Sequence, residues 1–222
     1  MSQGSTAMLD AGIEQLGLSL PGAARAKLML YLDLLAKWNA TYNLTAIRDR
    51  DQMVSHHLLD SLSVTKHIVA GSILDVGSGG GLPGIPLALW AEACLPGLRI
   101  TVLDSNHKKS AFLRQAQIEL ELANLDVCGE RVENWQPSQR FDQIISRAFS
   151  DLGEFFQLTH HLGCPSSVAM VDGARWLAMK GVHPHEELQH LPADCRFEQV
   201  HRLQVPGLQA ERHLVVLRAA HA

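Results

Sequence analysis

Three ionisable residues stand where a chain of alternating strands and helices binds ligands. Asp75 lies in the apolar run Ser72-Ile-Leu-Asp-Val76, with glycines following at 77, 79, 80, 81 and 84. Asp104 closes Thr101-Val-Leu-Asp104, and Arg147 follows Ile144-Ile-Ser146. A glycine-rich turn between a strand and a helix lets backbone approach a bound molecule closely. An acid ending the next strand can accept hydrogen bonds from ribose hydroxyls; the plain structural alternative for Asp104 is a helix N-cap. Arg147, at a strand's C-terminal edge, is either a ligand contact or half of a surface ion pair.

The glycine loop reads in three frames. A P-loop requires GxxxxGK[ST], and no such Lys-Ser/Thr follows. A dinucleotide fingerprint can be set on Gly79, Gly81 and Gly84, but it starts two residues late and puts the Asp75 carboxylate near a pyrophosphate it would repel. The third frame, Asp-x-Gly-x-Gly-x-Gly on Asp75, Gly77, Gly79 and Gly81, suits a ligand without phosphate and with a cationic, amino-acid-like end. S-adenosylmethionine (AdoMet) has that character. Asp104 does not separate the readings, because NAD and AdoMet both carry the ribose.

The segment after the fourth expected strand narrows the chemistry. Ser146-Arg-Ala-Phe149 replaces the Asn/Asp-Pro-Pro-Tyr of amino-group methylation, and Cys164-Pro165 lies well beyond that strand end, so a cysteine nucleophile for pyrimidine activation is not supplied there. An acceptor that is already nucleophilic needs neither device. Guanine N7, with a free lone pair and no proton, is such an acceptor.

The elements that must position these residues follow from hydrophobic period. Helices are expected over Ala7–Leu16, Pro21–Asn39 and Asp51–Lys66, the last with Met53, His57, Asp60 and Ser61 on one face. The period changes after Gly71. Strands are expected at 72–76, 99–103, 125–128, 141–146, 174–179, 197–204 and 212–218, with helices at 84–94, 106–123, 152–162 and 183–190. Ser105 or Asn106 caps the long helix. The alternation predicts an α/β fold with a mostly parallel seven-stranded sheet, and the last two strands, joined through Pro206-Gly207, a C-terminal antiparallel hairpin. That is the outline of the Rossmann-like class I AdoMet-dependent methyltransferase fold, here with an N-terminal helical extension (residues 1–70) ahead of an AdoMet-binding unit (71–222).

Composition excludes other classes. Hydrophobic residues at 46% and charged residues at 19% exclude wholesale disorder. A net charge of −4 argues against a free-standing basic module that grips nucleic acid by charge alone. Cys94, Cys128, Cys164 and Cys195 form no Cys-x-x-Cys pair, which speaks against a zinc ribbon or disulfide framework. No basic-then-apolar leader opens the sequence, and no run approaches the roughly 20 apolar residues of a membrane span. A cytoplasmic protein without membrane or metal partners is expected. His56 and His57 are adjacent and diverge by about 100° on a helix, so hydrogen bonding inside the fold is expected of them, with RNA contact as the alternative. Asp60 is expected to support the site or the packing.

Taken in order, Asn43-Leu-Thr45, His56-His-x-x-Asp60-Ser-Leu62, Asp75-Val-Gly-Ser-Gly-Gly-Gly-Leu-Pro-Gly-Ile-Pro86, Leu103-Asp-Ser105, Lys108-Lys109, Phe112-Leu113, Arg131-Val-Glu133, Phe141-Asp142, Ser146-Arg-Ala148, Met179-Lys-Gly181 and Glu211-Arg-His213 resemble the RsmG (GidB) family of bacterial ribosomal RNA methyltransferases. The resemblance runs over roughly residues 8 to 218. It implies AdoMet as cofactor and N7 methylation of one guanine in 16S ribosomal RNA, within the small ribosomal subunit, by direct transfer without a required general base. It assigns Gly77 and Leu82 to the AdoMet pocket, Val132 and Glu133 to its adenosine end, Asp104 to the ribose and Arg147 to the methionine end. Asp75 and Gly79 join them from the loop frame. Glu133 has turn capping as its alternative. Lys108, Lys109, Arg114, Phe149 and Lys180 are the expected RNA contacts, with Arg25, Lys27, Lys37, Arg48 and Arg50 as further candidates for a basic face; the alternative is solvated surface for each charged residue and core packing for Phe149. Other classes compatible with the same residues are a small-molecule methyltransferase, a NAD-dependent oxidoreductase and a noncatalytic RNA-assembly factor.

Overall fold

The computed structural model describes residues 3–147, 149, 151–165 and 172–220. Ala148, the last residue of the Ser-Arg-Ala motif, lies outside the described residues. The chain opens with α1 (Gln3–Gln15) and α2 (Gly22–Tyr42), then a helical segment of α3 (Arg50–Met53), a π-helical turn (Val54–Leu59) and α4 (Asp60–Leu62). β1 (Ser72–Val76), α5 (Gly84–Cys94), β2 (Arg99–Leu103), α6 (His107–Glu119), β3 (Leu125–Cys128) and β4 (Gln143–Ser146) follow. α7 (Leu152–Thr159), β5 (Arg175–Lys180), α8 (His185–Gln189), β6 (Cys195–Leu203) and β7 (Arg212–Ala219) complete it.

The strands form one sheet in the order β3-β2-β1-β4-β5-β7-β6. The first five are parallel; β7 runs antiparallel to β5 and to β6. The order reverses between β1 and β4, and at such a switch point the connections leaving the C-terminal ends of the strands part and open a crevice. The expected α/β sheet with its C-terminal hairpin is therefore present, and Gly207, at φ +75°, turns the chain between the hairpin strands.

α5 is buried from Gly84 through Ala91. A helix apolar on all sides must be covered on all sides. The sheet covers one face, and α2 and α4 pack on the other. Leu28, Leu32 and Leu35 of α2 thus share one buried cluster with Ile85, Leu89 and Phe112. The N-terminal helices form a layer over the helix that starts at the glycine loop, and this lets them reach the site.

Several expected boundaries shift. Asn106, not Ser105, caps α6: its Oδ1 accepts from the N–H groups of Lys108 at 2.9 Å and Lys109 at 3.3 Å, so Asp104 is not the cap either. α6 stops at Glu119 because Glu121 takes φ +52°. The helix expected over 51–66 contains the π turn at 54–59. Ser55, His57, Leu58 and Leu59 of this turn and Asp60 just after it are all buried, so the segment is covered on more than one face. Among the described residues no helix is long and apolar enough to cross a membrane.

Candidate active site

The glycine loop is held by four groups that lie outside it. Backbone N–H groups of Gly77 and Ser78 donate to Leu103 O at 2.9 and 3.0 Å, which pins the loop to the end of β2. Gly79 N–H donates to Asp104 Oδ2 at 2.9 Å. Asp75 Oδ2 accepts from Ser78 Oγ at 2.6 Å and from Gly84 N–H at 2.9 Å, joining the loop's start to the first turn of α5. From above, the buried Tyr31 hydroxyl of α2 donates to Gly80 O; burial holds this phenol protonated far beyond the ordinary tyrosine range, so it acts as a donor. Gly77, Gly79 and Gly81 take φ of +69°, +59° and +88°, the left-handed region that glycine enters without steric cost.

Asp75 is fully buried, and its Oδ1 has no partner among the described residues. Burial pushes its carboxyl up to about 6 against the lowering pull of Ser78, Gly84 and Arg147. The structure puts Asp75 beneath the loop rather than on its ligand face, so the role it can take is to shape the loop and lend it negative charge. The unsatisfied buried oxygen suits a cationic ligand end above it and disfavours phosphate.

Three cavities meet along this edge. The first, of about 290 Å³, is lined by Val76, Gly77, Asp104, Val132, Glu133 and Phe149 among others. The second, of about 160 Å³, is lined by Leu44, Thr45, Gly77–Gly80, Leu82 and Arg147. The third, of about 300 Å³, is bounded by Ile47, His56, Asp60, Arg147, Lys180 and Arg212 among others. Gly77 lines both of the first two and Arg147 both of the last two, so the three adjoin in a row along this groove-like edge. Larger cavities of about 690 Å³ between α1 and α2 and about 840 Å³ at the opposite edge of the sheet lack the loop and this convergence of charge.

The eight residues expected to bind cofactor are therefore gathered, seven on the groove and Asp75 below it. Asp104 is 6% exposed. Two of its carboxylate's four lone-pair sites are used by Gly79 and by the N–H of Asn106, at 2.9 Å. The remaining capacity matches a vicinal diol, and Lys109 Nζ stands 3.6 Å away. Glu133 is exposed on the rim beside buried Val132. Leu82 packs below the loop at 5% exposure.

Arg147 is fixed from the helical layer. Its Nη1 donates to Asp60 Oδ2 at 3.0 Å and to His56 O at 2.9 Å. Asp60, 1% exposed, accepts from Arg212 Nε at 3.0 Å on its other oxygen. Asp60 is thus a support for two arginines rather than a proton carrier. Buried His57 meets Thr45 Oγ1 at 2.9 Å through Nε2, and Asn39 holds the backbone of Thr45 and Ile47. Burial, with Arg147 nearby, lowers the His57 imidazole from 6.5 to about 4, so it is neutral at physiological pH.

That displacement has a stability consequence. Unfolded His57 takes up its proton near pH 6.5 and the folded one near 4, so this contribution is whole above pH 6.5 and is lost as pH falls through the window. The loss is on the order of 3 kcal/mol. Asp75 works in the opposite sense below about pH 6. His57→Asn is expected to flatten the acid side of a melting-temperature profile between pH 6.5 and 4. A slope identical to the parent's would rule out His57 as its source.

The expected RNA contacts separate. Lys108 is exposed, with Nζ 5.6 Å from the Tyr42 ring centre, and Arg114 is exposed on the same helix. Lys109 turns toward Asp104. Phe149 lines the Asp104 cavity and packs on Phe155, ring centres 5.2 Å apart, so it faces that cavity and not the open surface. Lys180 is buried and paired with Glu187 at 2.7 Å; it lines the third cavity from beneath instead of standing on the surface. Arg25, Lys27 and Arg50 pair with Asp10, Glu92 and Asp33, which removes them from a free basic face. Among the described residues no cluster of His, Cys, Asp and Glu is arranged to hold a metal.

Sequence reasoning missed Tyr31, Thr45 as a His57 partner, and Arg212. Arg212 was visible within Glu211-Arg-His213, but nothing local connects it to Asp60, 152 positions earlier.

The family model for rRNA small subunit methyltransferase G (GidB) matches residues 24–215. A protein of that description from Pseudomonas paraeruginosa is 54% identical over 211 residues, 95% of this chain and 94% of its own. One from Aromatoleum aromaticum is 54% identical over 214 residues, 96% and 98% of the two chains. Among solved structures, the O-methyltransferase TomG from Streptomyces achromogenes, in complex with SAM, superposes with a TM-score of 0.52 at 18% identity, over 86% of this chain and 90% of its own. An O-methyltransferase from Bacillus cereus in complex with SAH gives 0.53 at 16% over the same shares. These two likenesses concern the fold.

Proposed function

This chain belongs to the GidB family of small-subunit ribosomal RNA methyltransferases, and from that premise we propose that it transfers a methyl group from AdoMet to N7 of one guanine in 16S ribosomal RNA, with the RNA presented by the small ribosomal subunit. The observation that carries the reading is the row of three adjoining cavities: a buried acid with spare acceptor capacity at one end, a glycine loop in the middle and a paired-arginine cavity at the other, with Arg147 lining the last two.

Bound AdoMet supplies an electrophilic methyl on a sulfonium. Asp104 holds the ribose hydroxyls, and Val132 and Glu133 bracket the adenosine end. Gly77, Gly79 and Leu82 line the path to Arg147, whose guanidinium pairs with the amino-acid carboxylate. Asp75 favours the cationic end from below through its unpaired Oδ1. The target base enters from the side of the third cavity, where Ile47 and the neutral His57 provide apolar and uncharged surface. Guanine N7 brings its own lone pair and no proton, so the chain's task is orientation and proximity. Asp60 is engaged by two arginines and His57 by Thr45, which agrees with a reaction that asks neither to move a proton.

Asp104→Ala is expected to weaken AdoMet by about 100-fold, the scale of two hydrogen bonds to a charged acceptor, while Lys108→Ala leaves it within about twofold. Calorimetric titration measures both, and an unchanged Asp104→Ala affinity would remove the ribose assignment. The function itself is tested by transfer of label from AdoMet to small subunits isolated from cells lacking this gene. Label in 16S ribosomal RNA is expected; label in neither subunits nor naked RNA, with transfer to a small molecule instead, would overturn the reading.

A further inference from the structure

We propose that the cavity between Arg147 and Arg212 is a phosphodiester subsite for the strand that carries the target base, with Arg212 as its principal contact. The proposal rests on ribosomal RNA being the substrate and assigns a residue that the cofactor groove does not use.

The two guanidiniums reach one place from distant parts of the chain. Arg147 follows β4 and Arg212 opens β7, whose antiparallel course brings its first residues beside Lys180 at the end of β5. The single carboxylate of Asp60 holds both, Oδ2 to Arg147 and Oδ1 to Arg212, each at 3.0 Å. Arg212 Nη1 donates to Glu211 O at 2.8 Å. These bonds leave Nη2 of Arg147 and of Arg212 with no bond to a described residue, and neither atom is buried. The side chains are 26% and 23% exposed, enough for a ligand to reach.

Charge points the same way. Arg147, Arg212 and Lys180 stand against Asp60 and Glu187, one positive charge in excess, in a chain whose net charge is −4. A monoanion with two equivalent oxygens fits two N–H donors from two guanidiniums held by a common carboxylate. The cofactor's own carboxylate does not fill this role, because the glycine-loop cavity includes Arg147 but not Arg212. A strand whose phosphate docks at Arg212 passes directly by the junction where Arg147 faces the reacting end of the groove. Asp60 is accordingly a positioning residue for both arginines.

The test compares Arg212→Gln and Arg212→Lys with the parent on small subunits, at several salt concentrations, with AdoMet affinity and melting temperature measured on each. Arg212→Gln should raise KM for subunits about tenfold, leave AdoMet affinity within about twofold, and lower the slope of log affinity against log salt by about one, the signature of one lost phosphate contact. Arg212→Lys should keep most of the salt slope with KM raised only severalfold, since a compact ammonium lacks the planar fork that spans Asp60 and a phosphate. A parental KM and salt slope for Arg212→Gln would overturn the subsite. So would parallel losses of AdoMet and RNA binding, which a purely structural role produces. Should the Gln variant not fold, the Lys variant decides: raised KM with AdoMet affinity retained supports the subsite, and unchanged KM refutes it. Lack of transfer by the parent protein would refute ribosomal RNA methylation itself, a different failure from a parent-like Arg212 variant.

Discussion

Replacing Arg147 by alanine is expected to cut methyl transfer at least 100-fold. Among the described residues Arg147 alone lines both the glycine-loop cavity and the arginine-lined cavity, and its Nη1 is locked by Asp60 and His56. In the proposed arrangement, alanine removes the partner of the cofactor's carboxylate and the wall between the cofactor and the target base. A misplacement of about 1 Å costs on the order of 100-fold in rate where orientation supplies the catalysis. Arg212 stays on Asp60 Oδ1, so the buried carboxylate keeps a counterion and the stability loss is small beside the kinetic one. Single-turnover rates with saturating AdoMet, together with AdoMet affinity, separate these effects. Arg147→Lys, which keeps charge but not the two-acceptor geometry, should recover only part of the rate. A variant within tenfold of the parent would take Arg147 out of the reaction.

Gly84→Ala is the second large effect, and it acts through packing. A Cβ at Gly84 would lie 2.4 Å from Val102 Cγ1 and 2.8 Å from Asp75 Oδ2. Both neighbours are fully buried in the sheet, so neither can step aside, and Gly84 N–H must stay on Asp75. Overpacking of this kind costs about 3 kcal/mol at the upper end of its usual range, or roughly 6–12 °C for a chain of this size. The shift also lifts α5 and the glycine loop, so AdoMet affinity should fall at least tenfold. Gly79→Ala is the internal control. Its Cβ meets nothing closer than Gly77 O at 3.8 Å, and only the strain of φ +59° remains, about 1 kcal/mol. Thermal melting of the two variants, with and without S-adenosylhomocysteine, checks the ordering; equal melting temperatures would contradict the packing argument.

These contrasts show what was legible in the sequence. β1, β2, β3 and α5 begin and end where the apolar runs and their flanking residues place them, because a short buried strand between turn signals has few alternative registers. The loop and Asp104 were readable since both lie at strand ends, where local order dictates position. The π turn at 54–59 was not, because its driving force is the burial of Ser55, His57 and Asp60 together by tertiary packing. Lys180 and Phe149 carried the chemistry of surface contacts, and only their neighbours Glu187 and Phe155 reveal where they point. Long-range partnerships such as Tyr31 with Gly80 and Arg212 with Asp60 leave no periodic trace. Each requires the layer order of the fold before the two residues can be known to meet.

The most direct measurement of the central claim is the position of the new methyl group. Small subunits from cells lacking the gene are treated with the protein and AdoMet, and the 16S ribosomal RNA is reduced with borohydride and cleaved with aniline, chemistry that breaks the strand at 7-methylguanosine. A single new break at one guanine, absent without AdoMet and absent with Arg147→Ala, is the predicted result. Methylated RNA that resists this cleavage, with the label recovered in another nucleoside, would contradict N7 transfer.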